Sequence, residues 1–353
     1  MKQKSSFRRK PLSASGGGIQ SLRQTLDPGF RRGDGDFMHS HIMRHALSLA
    51  TRAYGQTSPN PLVGAVVVKG GRVISEGWHK KAGTAHAEVI ALRRAGKKAK
   101  GADLYVTLEP CCHFGKTPPC TDLIIRSGIR RVYFGMRDQN PAVNGRGLKQ
   151  LKKAGIKVYG PVLESECMAI NRPFIKWITT GLPFVTAKVA VTLDGRIADF
   201  SGDSKWISCE KSRLYTHALR SGSDAVMVGA NTYRKDRPRL NVRLPGYKGK
   251  QPLPIVVGSK GGKKANLKKL LRELGGAGFQ SILVEGGGAL HTEMLKLGLV
   301  DYLVVFIAPK MLGNKGLTWL GDMGNVKMSA PLKMNVVRRL ILDNDVVIEG
   351  TPC

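Results

Sequence analysis

The sequence predicts an α/β protein made of two domains. Its 353 residues are more than one ordinary hydrophobic core accommodates. Helix-like and strand-like patterns alternate along the chain both before and after Gly181. A hydrophobic content of 42% is sufficient to fill two cores. We therefore expect domains at residues 38–181 and 182–353, with residues 1–37 outside both.

In the first half a helix is expected from His41, followed by a β-hairpin of residues 62–68 and 72–78 around Lys69-Gly70-Gly71. The remaining elements alternate, which predicts an α/β sandwich whose later strands are largely parallel. The expected helices cover residues 86–95, 121–127 and 147–154, and the expected strands cover residues 104–108, 131–135 and 156–158.

The second half repeats this alternation without repeating the sequence. A buried strand over residues 184–191 is followed by a turn at Asp194-Gly195. Further strands are expected at residues 225–228, 254–257, 281–284 and 301–307, and helices at residues 210–220, 267–274 and 289–297.

Residues 1–37 contain a Gly-Gly-Gly triplet and scattered basic residues without apolar periodicity, which predicts a disordered basic leader. Asp27, Asp34 and Asp36 disfavour a transit peptide, and Met38 is an alternative start of the chain.

Composition excludes several classes of protein. A formal net charge of +32 raises the question of nucleic acid, but the basic residues are spread along the chain and aromatic residues make up only 6%. We expect anionic small substrates and no nucleic-acid partner. No apolar run approaches the roughly 20 residues of a membrane span, so we expect a soluble protein. Three of six cysteines fall within ten residues, which favours a metal site in a reducing cytoplasm over disulfides.

The clearest motif is His86-Ala87-Glu88 together with Cys111 and Cys120, each of which follows a proline. One imidazole and two thiolates form a three-ligand zinc site, typical of zinc-dependent base deaminases, that leaves the fourth position to water. Zinc lowers the pKa of such a water from about 16 to about 7, and Glu88 is placed to carry protons. Both cysteines are expected to precede helices, where backbone N–H groups favour thiolates.

Each of these residues has a simpler interpretation. His86 taken alone fits a hydrogen-bonded core histidine, and a structural zinc site is a second alternative. Cys112 could close the site as a fourth ligand or replace Cys111. We assign Cys111 as the ligand because it directly follows the proline that ends a strand.

A glycine-rich turn, Glu285-Gly286-Gly287-Gly288, joins an expected strand to an expected helix. Glycine there lets backbone N–H groups approach a phosphate at the helix N-terminus, although the triplet lacks the full dinucleotide fingerprint. Phosphate binding and tight packing both fit this turn.

These motifs together resemble the bifunctional deaminase–reductases of riboflavin biosynthesis over residues 39–353. The resemblance rests on residues 59–64 (PNPLVG), 86–89 (HAEV), 107–120 (TLEPCCHFGKTPPC), 188–196 (KVAVTLDGR), 204–207 (SKWI) and 284–287 (VEGG). It implies a cytidine-deaminase-like αβα sandwich followed by a dihydrofolate-reductase-like domain. It also implies two reactions: zinc-dependent deamination of 2,5-diamino-6-(5-phosphoribosylamino)-4(3H)-pyrimidinone, and NADPH-dependent reduction of the phosphoribosylamino group to phosphoribitylamino.

The resemblance implies site residues as well. In the deaminase, Asn60, His79, His113 and Lys116 match positions that hold substrate, and Cys112 departs from the family's usual serine. In the reductase, Lys188 and Glu285 are the catalytic candidates. The implied NADPH contacts are Ala190, Trp206, Thr232, Asp236, Ser259, Gly287, Gly288, Ala289, Leu290, His291, Thr292 and Glu293, and the implied substrate contacts are Ser204, Arg220, Leu240, Arg243 and Glu285. For Trp206 a place in the core is the alternative. A homo-oligomer is a further implication.

Two other functions compete with this one. A zinc deaminase acting on tRNA or nucleosides, with an accessory α/β domain, agrees with the basic composition, but the eight residues between Cys111 and Cys120 exceed the two usual there. An RNA-binding protein with decayed enzyme domains is disfavoured because His86, Glu88 and both cysteines are intact.

Overall fold

The computed structural model describes residues 35–113, 118–141, 143–258 and 265–353. Most of the expected leader, with Lys116 and Ser259, lies outside the described residues. Among the residues described, none of the helices combines the length and the hydropathy that a membrane span requires.

The first half forms a five-stranded sheet in the order β2-β1-β3-β4-β5. Its strands are β1 Gly64–Lys69, β2 Arg72–Trp78, β3 Asp103–Leu108, β4 Arg131–Met136 and β5 Lys157–Tyr159. β1 pairs antiparallel with β2 and β3, whereas β3, β4 and β5 run parallel. This confirms the expected hairpin and the largely parallel later sheet.

The helices of this half are α1 Gly35–Ala50, α2 Ala87–Ala95, α3 Cys120–Arg126, α4 Arg146–Lys153, α5 Glu164–Ile170 and α6 Arg172–Thr180. The sequence did not predict α5 and α6. α6 has a proline in its first turn and ends at Gly181, whose φ of 70° lies in the left-handed region. α2 approaches β2 closely, since a Cβ at Gly77 would lie 2.6 Å from the Ala87 carbonyl oxygen. This contact sets the start of α2, where His86 lies.

The second half forms a seven-stranded sheet in the order β13-β14-β11-β6-β10-β8-β9. Its strands are β6 Phe184–Thr192, β8 Ala225–Gly229, β9 Leu253–Val257, β10 Ser281–Val284, β11 Tyr302–Ala308, β13 Met334–Leu342 and β14 Asp345–Pro352. β6, β8, β9, β10 and β11 are parallel, and the antiparallel pair β13 and β14 completes one edge. A separate two-stranded sheet joins β7 Arg196–Ala198 to β12 Leu317–Thr318.

The helices of the second half are α7 Glu210–Ser221, α8 Ala230–Asp236, α9 Leu267–Gly276 and α10 Gly288–Lys296. The expected helices at residues 210–220, 267–274 and 289–297 are confirmed, whereas α8 and the strands β7 and β12 to β14 were not predicted. Asp194-Gly195 forms the expected turn after β6, where the Asp194 carboxylate accepts backbone N–H groups of Leu312 and Gly313.

The two halves are in direct contact. Trp177 Nε1 on α6 donates to the Gly275 carbonyl on α9 at 2.9 Å. Lys176 pairs with Asp301 at 2.5 Å. Gln280 Nε2 donates to the Pro59 carbonyl at 2.6 Å. Hydrogen bonds and an ion pair therefore join the two halves.

Candidate active sites

His86, Cys111 and Cys120 converge on one point of the first half. Their ligand atoms all lie within 4.8 Å of one another. His86 Nδ1 is 3.2 Å from Cys120 Sγ and 3.5 Å from Cys111 Sγ. His86 is the N-cap of α2, Cys111 follows β3, and Cys120 is the first residue of α3.

The expectation that both cysteines precede helices is wrong for Cys111. Cys120 begins α3, but Cys111 lies nine positions earlier, outside any helix. The backbone N–H of Cys120 nevertheless donates to Cys111 Sγ at 3.4 Å. The first turn of α3 therefore provides a hydrogen bond to this sulfur, although the two residues are nine positions apart. The hydrogen bond from the Cys120 thiol lowers the pKa of Cys111, and His86 lowers it as well, although burial opposes both.

The donor set fits zinc. In a tetrahedral zinc site with imidazole and thiolate ligands, donor atoms lie about 3.6 to 3.8 Å apart, close to the separations here. Within the described residues the group able to hold a metal ion contains His86, Cys111 and Cys120, and Cys112 is not part of it.

Glu88 lies beside this cluster in the first turn of α2, with 4% of its surface exposed. Burial, and after it the negative charge of Cys111, raise the pKa of Glu88 to about 7, although His86 opposes the shift. A buried carboxyl group with such a pKa can both accept and release a proton near neutral pH.

Asn60 and His79 lie next to the cluster. Asn60 Nδ2 is 3.0 Å from His79 Nε2, and the His79 ring meets the His86 ring edge-on at 5.6 Å between centroids. His79 Nδ1 is 3.2 Å from the Ala85 carbonyl, and burial lowers the pKa of His79. The structure thus brings two of the four expected substrate contacts to the metal cluster. His113 is exposed on the loop after Cys111.

Sequence reasoning missed Glu109, the residue before the Pro110-Cys111 pair. Its buried carboxylate accepts backbone N–H groups of Gly145 at 2.9 Å and Gly147 at 3.0 Å, with longer bonds from Asp138 and Leu148. These bonds tie the end of β3 to the start of α4 and so fix the position of Cys111. The motif Glu-Pro-Cys was the available signal, but the partners lie about 30 to 40 residues away.

A second cluster of charged side chains lies in the second half. Arg220 on α7 forms two hydrogen bonds to Glu285 at the end of β10, at 2.5 and 2.9 Å. Burial raises the pKa of Glu285, but the Arg220 guanidinium outweighs this and holds it below its ordinary value. Burial lowers the pKa of Lys188 on β6, and Glu285 opposes that shift. Arg243 is exposed at the rim, and Leu240 is buried.

The glycine-rich turn meets α8. The Gly287 N–H donates to Thr232 Oγ1 at 3.1 Å, which joins two of the expected NADPH contacts. Gly287 is the N-cap of α10, and Ala289 is exposed in its first turn. Leu290, His291 and Thr292 are buried, while Glu293 is partly exposed. Burial lowers the pKa of His291 to about 4.

Trp206 is 64% exposed, so the alternative that it belongs to the core is wrong. The Arg213 guanidinium lies 4.6 Å from its ring centroid. Ser204 and Asp236 line a neighbouring cleft of about 250 Å³ together with Lys205 and Lys235. Ala190 lies on β6 opposite Phe306 of β11. The roles of all these residues remain predictions.

Comparison with known proteins identifies the family. Residues 38–136 match the cytidine and deoxycytidylate deaminase zinc-binding region, and residues 183–348 match the RibD C-terminal domain. The riboflavin biosynthesis protein RibD of Aquifex aeolicus is 44% identical, with 87% of this chain and 97% of the relative covered. The chain belongs to the RibD family.

Solved structures agree with this assignment to RibD. Acinetobacter baumannii RibD (form 1) superposes with a TM-score of 0.85 at 34% identity, covering 90% of this chain and 99% of that one. A diaminohydroxyphosphoribosylaminopyrimidine deaminase/5-amino-6-(5-phosphoribosylamino)uracil reductase from Thermotoga maritima gives a TM-score of 0.83 at 38% identity with the same coverage.

Membership of the RibD family confirms the predicted fold class, the bifunctional enzyme and its cofactors, zinc and NADPH. The match to the RibD C-terminal domain argues against a tRNA deaminase with an unrelated accessory domain. The convergence of His86, Cys111 and Cys120 argues against a decayed RNA-binding protein.

Proposed function

We propose that this chain deaminates 2,5-diamino-6-(5-phosphoribosylamino)-4(3H)-pyrimidinone and then reduces 5-amino-6-(5-phosphoribosylamino)uracil to the ribitylamino product. The observation that carries the proposal is the His86, Cys111 and Cys120 cluster beside the buried Glu88. The domains would be residues 38–181 and 182–353, since the two large sheets use separate stretches of chain.

In the deaminase, His86 Nδ1 and the sulfurs of Cys111 and Cys120 would hold zinc, which supplies the Lewis acidity that makes water a nucleophile near neutral pH. Glu88 takes a proton from the attacking water and delivers it to the ring nitrogen. It then transfers the hydroxyl proton to the amino group, which leaves as ammonia while the carbonyl forms. Asn60, His79, His113 and Lys116 hold the substrate.

In the reductase, the N-terminus of α10 suits the phosphates of NADPH. Its N-cap, Gly287, has no side chain to cap the helix, so the N–H groups of Gly288 and Ala289 can bind an anion. Ala190, Trp206, Thr232, Asp236, Ser259 and residues 287–293 would form the cofactor site. NADPH supplies the hydride.

Lys188 and Glu285 act on the opened sugar. Because Arg220 keeps Glu285 ionised, Glu285 is suited to orient Lys188 and the substrate rather than to donate a proton. Lys188, whose pKa burial lowers, is the proton donor that balances hydride addition. Arg243 suits the substrate phosphate, and Arg220, Ser204 and Leu240 complete the pocket.

We further propose a cytoplasmic homo-oligomer without a nucleic-acid partner. None of the six cysteines, each among the described residues, takes part in a disulfide, in agreement with a reducing compartment. The edge strand β13 exposes Val337 and Ile341, which suits a protein contact. Size-exclusion chromatography of the purified chain tests the oligomer, and a mobility-shift titration with RNA tests the absence of that partner.

A coupled assay tests the two activities. The purified zinc-loaded chain is given the diaminopyrimidinone nucleotide and NADPH, and ammonia and NADPH absorbance are followed together. Ammonia release should precede NADPH oxidation. Ammonia from tRNA but not from the nucleotide would refute the proposal.

A further inference from the structure

Residues 54–60 of the first half, here called the Asn60 segment, lie against the second half along most of their length. A Cβ at Gly55 would lie 1.7 Å from the Ser221 carbonyl oxygen. A Cβ at Gly222 would lie 2.1 Å from the Tyr54 ring, and one at Gly249 would lie 2.2 Å from Gln56 Nε2. The segment that carries a deaminase substrate contact is therefore shaped by the reductase half.

The strongest single contact is made by Gln280. Its Nε2 donates to the Pro59 carbonyl at 2.6 Å, and the N–H of the same peptide group, from Asn60, donates to the Thr57 carbonyl at 2.7 Å. A peptide group is planar, so bonding its oxygen and its N–H fixes the plane. The position of the Asn60 Cα, from which the side chain leaves the backbone, is thereby set.

The Asn60 amide is fixed at its other end by His79. His79 Nδ1 faces the Ala85 carbonyl and must donate to it, so Nε2 of the neutral ring accepts from Asn60 Nδ2. This bond holds the Asn60 amide group beside His79, whose ring centroid lies 5.6 Å from that of His86. Any rotation of the Pro59–Asn60 peptide group would break this alignment.

Gln280 is itself held rigidly at the start of β10. Only 4% of its surface is exposed. Its N–H donates to Asp224 Oδ2 at 2.9 Å, and its carbonyl accepts from the Phe184 N–H at 2.7 Å. These backbone bonds do not involve the side-chain amide, so the amide can be altered without disturbing the strand.

We propose that Gln280, a residue of the reductase half, is a positioning residue for deamination: its amide fixes the peptide group that aims Asn60 at the substrate. This inference rests on the proposed role of Asn60 in binding that substrate. This role of Gln280 explains why the second half covers the Asn60 segment, although that segment serves the deamination proposed for the first half.

The test compares two substitutions that each remove one hydrogen bond between the halves. Gln280→Met keeps the side-chain length but leaves the Pro59 carbonyl without its donor. Trp177→Phe removes the hydrogen bond from Trp177 on α6 to the Gly275 carbonyl on α9. This bond does not involve the Asn60 segment. Deamination kinetics, zinc content and thermal unfolding are measured for both in the full-length zinc-loaded chain.

Gln280→Met should raise the KM for deamination about five- to tenfold with a smaller change in kcat, because an unpaired buried carbonyl favours reorientation of the peptide group. Zinc content and NADPH oxidation on the uracil substrate should match the unaltered chain. Trp177→Phe should leave the KM unchanged. An unchanged KM in Gln280→Met, or an equal rise in Trp177→Phe, would overturn the inference.

Asn60→Ala separates this inference from the proposed site. If Asn60→Ala does not raise the KM, the proposed substrate contact fails and the role of Gln280 fails with it. If Asn60→Ala raises the KM and Gln280→Met does not, the contact stands and only the positioning role is lost.

Discussion

Arg220 and Glu285 form a bidentate ion pair, with Nε to Oε1 at 2.5 Å and Nη2 to Oε2 at 2.9 Å. About nine-tenths of each side chain is buried. The third guanidinium nitrogen donates to the Asn241 carbonyl at 3.0 Å. Removing either partner would leave a buried charge without compensation, so the pair fixes the charge of the reductase site.

Glu285→Gln should reduce NADPH oxidation on the uracil substrate by about 10- to 100-fold and leave ammonia release unchanged. The amide keeps the shape of the carboxyl group but removes the negative charge that pairs with Arg220 and orients Lys188. Steady-state assays of both activities check this. Asp343→Asn is the control, because Lys211 and Asp343 form an ion pair that is largely exposed. A fully active reductase in Glu285→Gln would remove Glu285 from the site.

Glu88→Gln should retain zinc but reduce ammonia release by about 10²- to 10⁴-fold. The amide cannot carry the proton from water to the ring and then to the amine. Elemental analysis and an ammonia assay test the two parts, and NADPH oxidation on the uracil substrate reports that the chain is folded. Loss of zinc would show that Glu88 is a ligand instead of a proton carrier.

Cys111→Ser and Cys112→Ser form a matched pair of adjacent substitutions. Cys111 Sγ lies 3.5 Å from His86 Nδ1, whereas Cys112 stands outside the group of described residues that could hold a metal. Cys111→Ser should lose most of its zinc and its deaminase activity, because a serine hydroxyl is a poor zinc ligand. Cys112→Ser should keep both. The reverse pattern in zinc analysis would make Cys112 the ligand.

The sequence predicted the helices and strands whose apolar residues recur with a clear period. It did not predict elements in which the tertiary structure interrupts that period. In β13 two valines, Val336 and Val337, are followed by Arg338 and Arg339, and the register against β14 shifts between Val336 and Arg338. Such an irregularity removes the alternation that identifies a strand. The missed helix α5 has Leu163 at its N-cap, a residue type that does not signal the start of a helix.

The group of metal ligands was predictable because each ligand lies in a recognisable local context, at the start of a helix or just after a strand. His86 and Cys120 meet at 3.2 Å as their spacing suggested. The supports of Glu109 and Asn60 were not predictable. Gly145 bonds to Glu109, and Gln280 bonds to the Pro59 carbonyl next to Asn60, from distant parts of the chain, and only folding brings these groups together.

His217 should make stability depend on pH. It lies on α7, and its Nδ1 accepts the backbone N–H of Arg243 at 3.3 Å. Burial, and after it the charges of Arg220 and Arg243, lower its pKa from 6.5 to about 4, although Glu285 opposes the shift. The folded chain thus keeps this imidazole neutral over a range in which the unfolded chain protonates it.

Between pH 6.5 and about pH 4, His217 is therefore protonated in the unfolded state but remains neutral in the folded state. The free energy of unfolding should fall as the pH drops through this window, and the contribution of His217 should level off below it. His217→Asn keeps an acceptor for the Arg243 N–H but does not titrate, so its urea midpoint should fall less between pH 7 and about pH 4. Since the other histidines and the zinc ligands are common to both proteins, the difference between the two curves isolates His217. Parallel curves would mean that His217 is protonated in the folded chain at an ordinary pKa.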